Sequence, residues 1–262
     1  RTRVGNAAWT CEWRIPFAAL GGVPALLNAN LTVRNPGQDR WRTWRIASGS
    51  TYDLHNGATL VFGARDMTLP SKLRESLEVW LDASDVSLIE QDATGAVGVW
   101  KDKSGKGRHA VQGAAGSQPR FSTGALNGKP ALQFDDSRRT RMELPDLSDR
   151  PMTATVFAVV SNPGRGALQN QHQRVFTTSN GKDHDYICGI NCFIPGAETA
   201  GPRVIMAEAK ERWAKSVRVG CFSPTFQTFF NGQIAEILVF GRALTKEEQI
   251  RVTAYLTGKW GL

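Results

Sequence analysis

The stretch NGQIAEILVFGRALTKEEQIRVTAYLTGKWGL, Asn231 to Leu262, decides how this chain is read. Its first half, IAEILVF (Ile234–Phe240), is a short apolar run bounded by Asn-Gly and Gly-Arg, the pattern of a strand. Its second half is a helix. Thr245 followed three residues later by Glu248 forms a capping box, in which each side chain satisfies a backbone N–H of the other residue. Ile250 with Ala254 and Val252 with Leu256 are spaced to meet a sheet, and Gly258 fits the residue just past the helix end. A strand followed by one terminal helix predicts an all-β domain with a helix laid on it.

Working outward, the rest of the chain from about residue 78 reads as short strands broken by Gly, Pro, Asn and Asp. LEVWLDA, VGVWKD, PALQFD, TATVFAVVS, RVFTTS, RVIMAE and SVRVG are the clearest. Regular short strands with turn signals between them predict a two-sheet sandwich or jelly roll. TVFAVV is apolar throughout and belongs in the middle of a sheet. Trp80, Trp100 and Trp260 sit in phrases that read as core. Residues 64–77, ARDMTLPSKLRE and its flanks, are charged and carry a proline, as a linker does. Before the linker, WTCEWRIPF, ANLTVRN, RWRTWRIA and ATLVFG read as about four strands in residues 1–63.

Composition sets the limits. Of 262 residues, 41% are hydrophobic and 21% charged, so the chain is globular rather than disordered. No run of eighteen apolar residues is present, so no membrane-spanning helix is expected. The start lacks both an initiator Met and the apolar stretch of a signal peptide, which suggests a piece of a longer protein. The net charge is +8, but the bases are scattered, with short clusters at RWRTWR and SRRTR. No specific nucleic-acid partner is expected from such a pattern. Cys11, Cys188, Cys192 and Cys221 allow three pairings, and spacing does not choose among them. His184, Cys188 and Cys192 recur every fourth residue. Their surroundings are β-like, where that spacing does not converge on a zinc ion.

The order VWLDASDVS, VGVWKDKSGKGRHAVQ, LNGKPALQFD, TVFAVV and FNGQIAEILVFGRALTKEEQIRVTAYLTGKWGL resembles the bacterial laminin-G-like, concanavalin A-like jelly-roll domains over residues 78–262. Residues 9–63, with WTCEWRIPF and the closing ATLVFG, resemble the second half of family-nine-like carbohydrate-binding sandwiches. The resemblance implies a two-sheet jelly roll with one C-terminal helix, preceded by an incomplete sandwich whose open edges could pair with another chain. It also implies an extracellular or cell-surface setting and a polysaccharide or surface glycan as partner.

KDKSGKGRHA, Lys101 to Ala110, has the glycines and lysines of a phosphate cradle. The order is wrong for one, and the segment runs back into β-like sequence instead of a helix. A cation loop is the better functional reading. Asp102 offers a carboxylate, Ser104 a hydroxyl, and the Gly105–Gly107 turn its carbonyls, the oxygen set that calcium takes. In the resembling domains this loop lies near the last strand, whose acidic residue matches Glu236. The resemblance thus implies a calcium ion shared by Asp102, Ser104 and Glu236. The alternative is an Asx-turn, in which Asp102 accepts hydrogen bonds from its own loop.

A glycosidase on such a fold needs two carboxylates on one face. Glu208 and Glu211 are the nearest pair, yet a spacing of three on a strand sends them to opposite faces. Asp82 and Asp85 share that spacing, and DHD (Asp183–Asp185) reads as a solvated loop. A non-catalytic glycan-binding or adhesion module is therefore expected. A polysaccharide hydrolase and a structural spacer are the alternatives. Trp213, set among Lys210, Glu211, Arg212 and Lys215, is the aromatic most suited to stack on a sugar.

Overall fold

The computed structural model describes residues 68–163, 172–181, 189–195, 200–222 and 229–262, together with six short strands in the first part of the chain. The chain divides into two compact units, Arg1–Asp66 and Met67–Leu262. In the first unit β1 (Thr2–Val4) pairs β2 (Trp9–Cys11). β3 (Leu26–Ala29) pairs β6 (Ala58–Val61), and β4 (Thr32–Asn35) pairs β5 (Arg40–Thr43), all antiparallel.

The second unit begins inside the segment read as a linker. Ser71–Glu75 is a short helix, α1, and Leu69, Leu73 and Leu77 are buried. The charged residues of that segment are its solvent side, and the leucines between them dock on the sheet. After α1 come β7 (Leu77–Asp82), β8 (Ile89–Gln91), β9 (Val97–Trp100), β10 (Ala110–Val111), β11 (Arg120–Leu126), β12 (Lys129–Phe134) and β13 (Met142–Leu144). Then follow β14 (Met152–Asn162), β15 (His172–Ser179), β16 (Asn191–Pro195), β17 (Gly201–Arg212), β18 (Lys215–Val219), β19 (Gly232–Phe240) and α2 (Lys246–Trp260).

These strands form two antiparallel sheets. One runs β16-β15-β18-β13-β10-β9-β8 and the other β11-β12-β19-β14-β17. β12 pairs β19 at Gly232–Ile234 and β7 pairs it at Glu236–Phe240, so these two strands line successive parts of β19. The fold is thus the all-β two-sheet jelly roll with a C-terminal helix that the sequence leads one to expect.

The alternation of side chains explains TVFAVV. Val156, Ala158 and Val160 point into the core between the sheets, with Trp100, Phe134, Phe176 and Val219. Phe157 and Val159 point the other way, into a second apolar layer with Leu238, Phe240, Val252, Leu256 and Trp260. Both faces of β14 are covered, so both sets must be apolar. β14 lies between β19 and the edge strand β17 and is paired on both sides.

Helix α2 starts as read. The Thr245 side chain accepts from Glu248 N at 3.2 Å, and Thr245 N donates to Glu248 Oε2 at 2.9 Å. Its end differs. The helix continues through Gly258 to Trp260, and Gly261 takes the left-handed conformation (φ 69°) at the C-cap. The reason is the added turn's burial of Trp260 against the sheet, which outweighs the cost of a glycine inside the helix. Val252, Leu256 and Trp260 form the covered face, and Ile250 and Ala254 are half-buried.

Candidate functional site

Three places in the second unit gather chemistry: the loop of Asp102, a polar cluster beneath α2, and an open cleft beside the β17–β18 hairpin.

Asp102 and Ser104 do come together. Ser104 Oγ donates to Asp102 Oδ2 at 2.7 Å and Ser104 N to Oδ1 at 2.9 Å, an Asx-turn. The remaining lone pairs are also taken, by Arg108 N at 3.1 Å and Trp80 N at 2.9 Å. Gly105 (φ 88°) and Gly107 (φ 69°) allow the loop to close on this carboxylate. The carboxylate is buried and serves as the hub of the loop.

Glu236 lies elsewhere, on the helix side of β19. Its Oε1 accepts from Trp80 Nε1 at 2.8 Å and Tyr255 Oη at 3.2 Å. Its Oε2 accepts from Lys259 Nζ at 2.8 Å and Trp260 Nε1 at 2.6 Å. Trp80 therefore links the two carboxylates, its backbone N–H on Asp102 and its indole on Glu236, and each carboxylate has its own four donors. This donor set does not fit a calcium ion between them. Calcium needs several oxygens turned inward, and here both sites are filled by N–H and O–H groups, one of them an ammonium. Among the described residues, no group of three His, Cys, Asp or Glu is placed to hold a metal.

The cluster under α2 includes a second acid. Asp82, the register partner of Glu236 across β7 and β19, accepts from Ser84 N and Oγ at 3.0 and 2.6 Å. Its other oxygen meets Lys103 Nζ at 2.9 Å and Lys259 Nζ at 2.8 Å. Burial works to raise Asp82, but the Lys259 charge and the bonds from Lys103, Lys259 and Ser84 outweigh it and hold the carboxyl below its ordinary value. For Glu236, burial and the adjacent Asp82 charge win over Lys259 and Trp260, and the carboxyl is pushed up. Tyr255 is raised by burial and by the same two acids. Lys259 thus binds two buried carboxylates at once. The arrangement fastens the helix to the sheet and has no opening to ligand, since Asp82 and Glu236 are 1% and 0% exposed.

The open cleft has a volume of about 540 Å³ and is lined by Glu78, Leu147, Ser148, Arg150, Pro151, Met152, Thr153, Glu211 and Gly241. Glu78 stands at the start of β7. Lys106 Nζ reaches its Oε1 at 2.5 Å, and Arg108 Nη1 pairs with its Oε2. Burial works to raise Glu78, but these two cations outweigh it and keep the carboxyl below the usual glutamate value. Arg108 also donates to Glu78 O and to Leu147 O, both at 3.2 Å, and so ties two walls of the cleft together. Gly241 packs closely on Glu78: a Cβ there would lie 2.8 Å from Glu78 Oε1 and 2.9 Å from its Cγ, so a larger residue would have to displace the Glu78 side chain.

Glu208 and Glu211 are not brought together. Glu208 accepts from Gln249 Nε2 of α2 at 2.5 Å. Glu211 sits in the irregularity where β17 slips against β14 between Met152 and Ala154, with φ 51°. A non-glycine residue in that region is uncommon and strained. Its partner in the cleft is Glu78, a residue 133 positions earlier in the chain, which no local spacing could reveal. The one signal was charge: Glu78 is an acid in β7, and Lys106 and Arg108 are bases in the loop after β9.

Trp213 is half-buried. Its carbonyl accepts from Thr178 Oγ1 at 2.5 Å, and its backbone forms a bridge with Gly189. Leu147 N donates to Ala214 O at 2.9 Å, which places the hairpin against the cleft wall. Of the other candidates, Asp85 pairs with Lys103 at 3.6 Å. His184, Asp183, Asp185 and Cys188 lie outside the described residues. Cys192 and Cys221 are buried free thiols, pushed up to about 12 chiefly by burial, and a thiol so raised is a poor zinc ligand or nucleophile.

No protein-family model matches the chain, and no curated protein matches it. Among solved structures it is similar to a Trypanosoma rangeli sialidase in complex with the inhibitor DANA (13% identity, TM-score 0.40). That match covers 68% of this chain and 32% of the sialidase. It is also similar to domain 4 of AbnA, a GH43 extracellular arabinanase from Geobacillus stearothermophilus, in complex with arabinotriose. The identity is 12% and the TM-score 0.41, with 68% of this chain and 98% of that domain covered. The chain thus spans about a third of the sialidase's length. All of these likenesses are remote. Among the described residues no helix is long and apolar enough to cross a membrane.

Proposed function

We propose that the second unit is a non-catalytic glycan-binding or adhesion module, extracellular or at the cell surface, that binds polysaccharide or a surface glycan. The observation that carries this reading is the open cleft. Hydroxyl, carboxylate and guanidinium groups line it together with Leu147, Pro151 and Met152, the mix of polar groups and apolar surface that recognises small polar ligands. Trp213, half-buried, stands on the adjoining hairpin and is the aromatic residue to test. Binding without hydrolysis is favoured by the state of the acids. The carboxyl pushed upward, Glu236, is sealed under α2, and Glu78 in the cleft is held ionised, which unsuits it as a general acid.

The test is titration of the whole protein with oligosaccharides by calorimetry, with product analysis after long incubation. Trp213→Ala should weaken binding roughly ten-fold or more, by analogy with aromatic stacking on bases, and leave Tm nearly unchanged. A large fall in Tm would make Trp213 a core residue. A second reading, a polysaccharide hydrolase, rests on Glu78 and Glu211 lining one cleft. New reducing ends that vanish in Glu211→Gln would establish it.

A further inference from the structure

We infer that the Lys101–Ala110 loop is the device that readies this cleft. In this inference Glu78 and Glu211 accept hydrogen bonds from ligand hydroxyls, Arg150 donates to the ligand, and Arg108 and Lys106 are positioning residues behind Glu78. The ligand is a neutral, hydroxyl-rich saccharide. The inference rests on the glycan-binding reading and assigns its site and ligand chemistry.

The geometry runs in a chain. Asp102 accepts from Arg108 N and from Ser104, which fixes the loop's return. The Arg108 side chain then reaches the Glu78 carboxylate, the Glu78 carbonyl and the Leu147 carbonyl. Lys106 adds a second cation on Glu78. Glu78 is thereby fixed in place and in charge before any ligand arrives, and such preorganisation spares part of the ordering cost of binding. An ionised carboxylate offers acceptor positions beyond the two bonds it already makes.

The choice of a neutral ligand follows from the charges that line the cleft. Glu78 stands against two cations, so with Glu211 and Arg150 the group of five carries one net positive charge. Glu211 and Arg150 face the same space with opposite charge. The surplus positive charge disfavours a net cation, and a net anion must still face the Glu78 and Glu211 carboxylates in the lining. A sugar hydroxyl both donates and accepts, so neighbouring hydroxyls satisfy a carboxylate and a guanidinium together.

The experiment uses the whole chain and the hexaoses of glucose, xylose and arabinose, beside oligogalacturonate and chitosan hexaose. A neutral hexaose should bind best. Glu78→Gln, Glu211→Gln and Arg150→Gln should each weaken it by about ten-fold or more, the scale of a hydrogen bond to a charged group. A pH profile separates positioning from mere support of the fold. The charged groups facing Glu78 are Lys106, Arg108, Arg150 and Glu211. In the intact protein the two cations hold Glu78 below its ordinary value of 4.5, so Glu78 should add no pH dependence to binding above that value. In Arg108→Gln one of the two cations that oppose burial is gone, so Glu78 should titrate higher and affinity should fall with acid from a higher pH. Lys106→Gln, at a more exposed side chain, should show the same displacement if Arg108→Gln does not fold. Full affinity in all three cleft variants would overturn the inference and leave glycan binding standing elsewhere on the surface. A flat profile in both positioning variants, or tighter binding of either charged oligosaccharide, would overturn the roles or the ligand class. No binding of any saccharide by the intact protein would overturn the glycan reading itself, and the inference with it.

Discussion

Replacing Lys259 by methionine tests the polar cluster beneath α2. Methionine keeps most of the apolar stem and removes the ammonium that sits 2.8 Å from both Asp82 and Glu236. Removing one partner from a buried ion pair costs about 3–5 kcal/mol, because it strands a charge. Two features move this case to the low end. Asp82 keeps Lys103, and Glu236 keeps two indole donors and a phenol. A loss of about 3 kcal/mol, or about 6–12 °C in Tm for a unit of this size, is expected at pH 7.5. The pH dependence carries the sharper test. Glu236 is already raised above its ordinary value, and loss of Lys259 raises it further. Between the unfolded value near 4.5 and the folded value, the native state then binds the extra proton. Stability must therefore fall as pH rises through that window. The defect of Lys259→Met should be smallest near pH 5 and grow toward neutrality. Urea unfolding followed by tryptophan fluorescence measures it, since Trp80 and Trp260 both donate to Glu236. A variant within about 0.5 kcal/mol of the parent, the scatter of ordinary surface changes, would refute the reasoning. So would a defect of equal size at pH 5 and pH 7.5.

Four further outcomes are expected. Thr245→Ala should cost about 1 kcal/mol, the usual worth of an N-cap. The Arg242 and Thr245 bonds hold Glu248 down at about 2, so the stability this acid supplies is present above its unfolded value and is lost as pH falls from about 4.5 toward 2 in an acid titration. Gly220→Ala should destabilise by more than about 2 kcal/mol, because φ is +77° and a Cβ would lie 2.3 Å from Phe134 Cδ1; wild-type urea unfolding would contradict this. Asp102→Ala should lower Tm equally with calcium and with chelator, as an Asx-turn requires. A Tm that rises with calcium in the parent and not in the variant would restore the cation reading.

The fold was legible where one residue type had one job. TVFAVV reads as a central strand because it is apolar throughout, and Thr245 with Glu248 reads as a helix start. The end of α2 was misread because Gly258 looks like a stop signal when Trp260's burial cannot be seen. The linker was misread for a related reason: the charges of residues 71–75 are visible in sequence, whereas the docking of Leu69 and Leu73 is a tertiary fact. At the candidate site, Asp102 and Ser104 were found because they are neighbours. Glu78 was missed because its importance comes from Lys106, Arg108 and Glu211, groups that only folding brings near it. Glu211 was noticed as half of the wrong pair, since Glu208 is bonded to Gln249 of α2 whereas Glu211 lines the cleft with Glu78.

The second unit's first strand and its last elements lie side by side. β7 pairs β19, and Trp260 of α2 packs in the same layer as Leu77 and Trp80 of β7. During synthesis β7 leaves the ribosome long before its neighbours exist, so it must wait unpaired or find temporary cover, and closure comes late. The same adjacency has a benefit in evolution. A unit whose two ends meet can be spliced into a surface loop of another protein without stretching the host, so its occurrence between other domains would need no special linker.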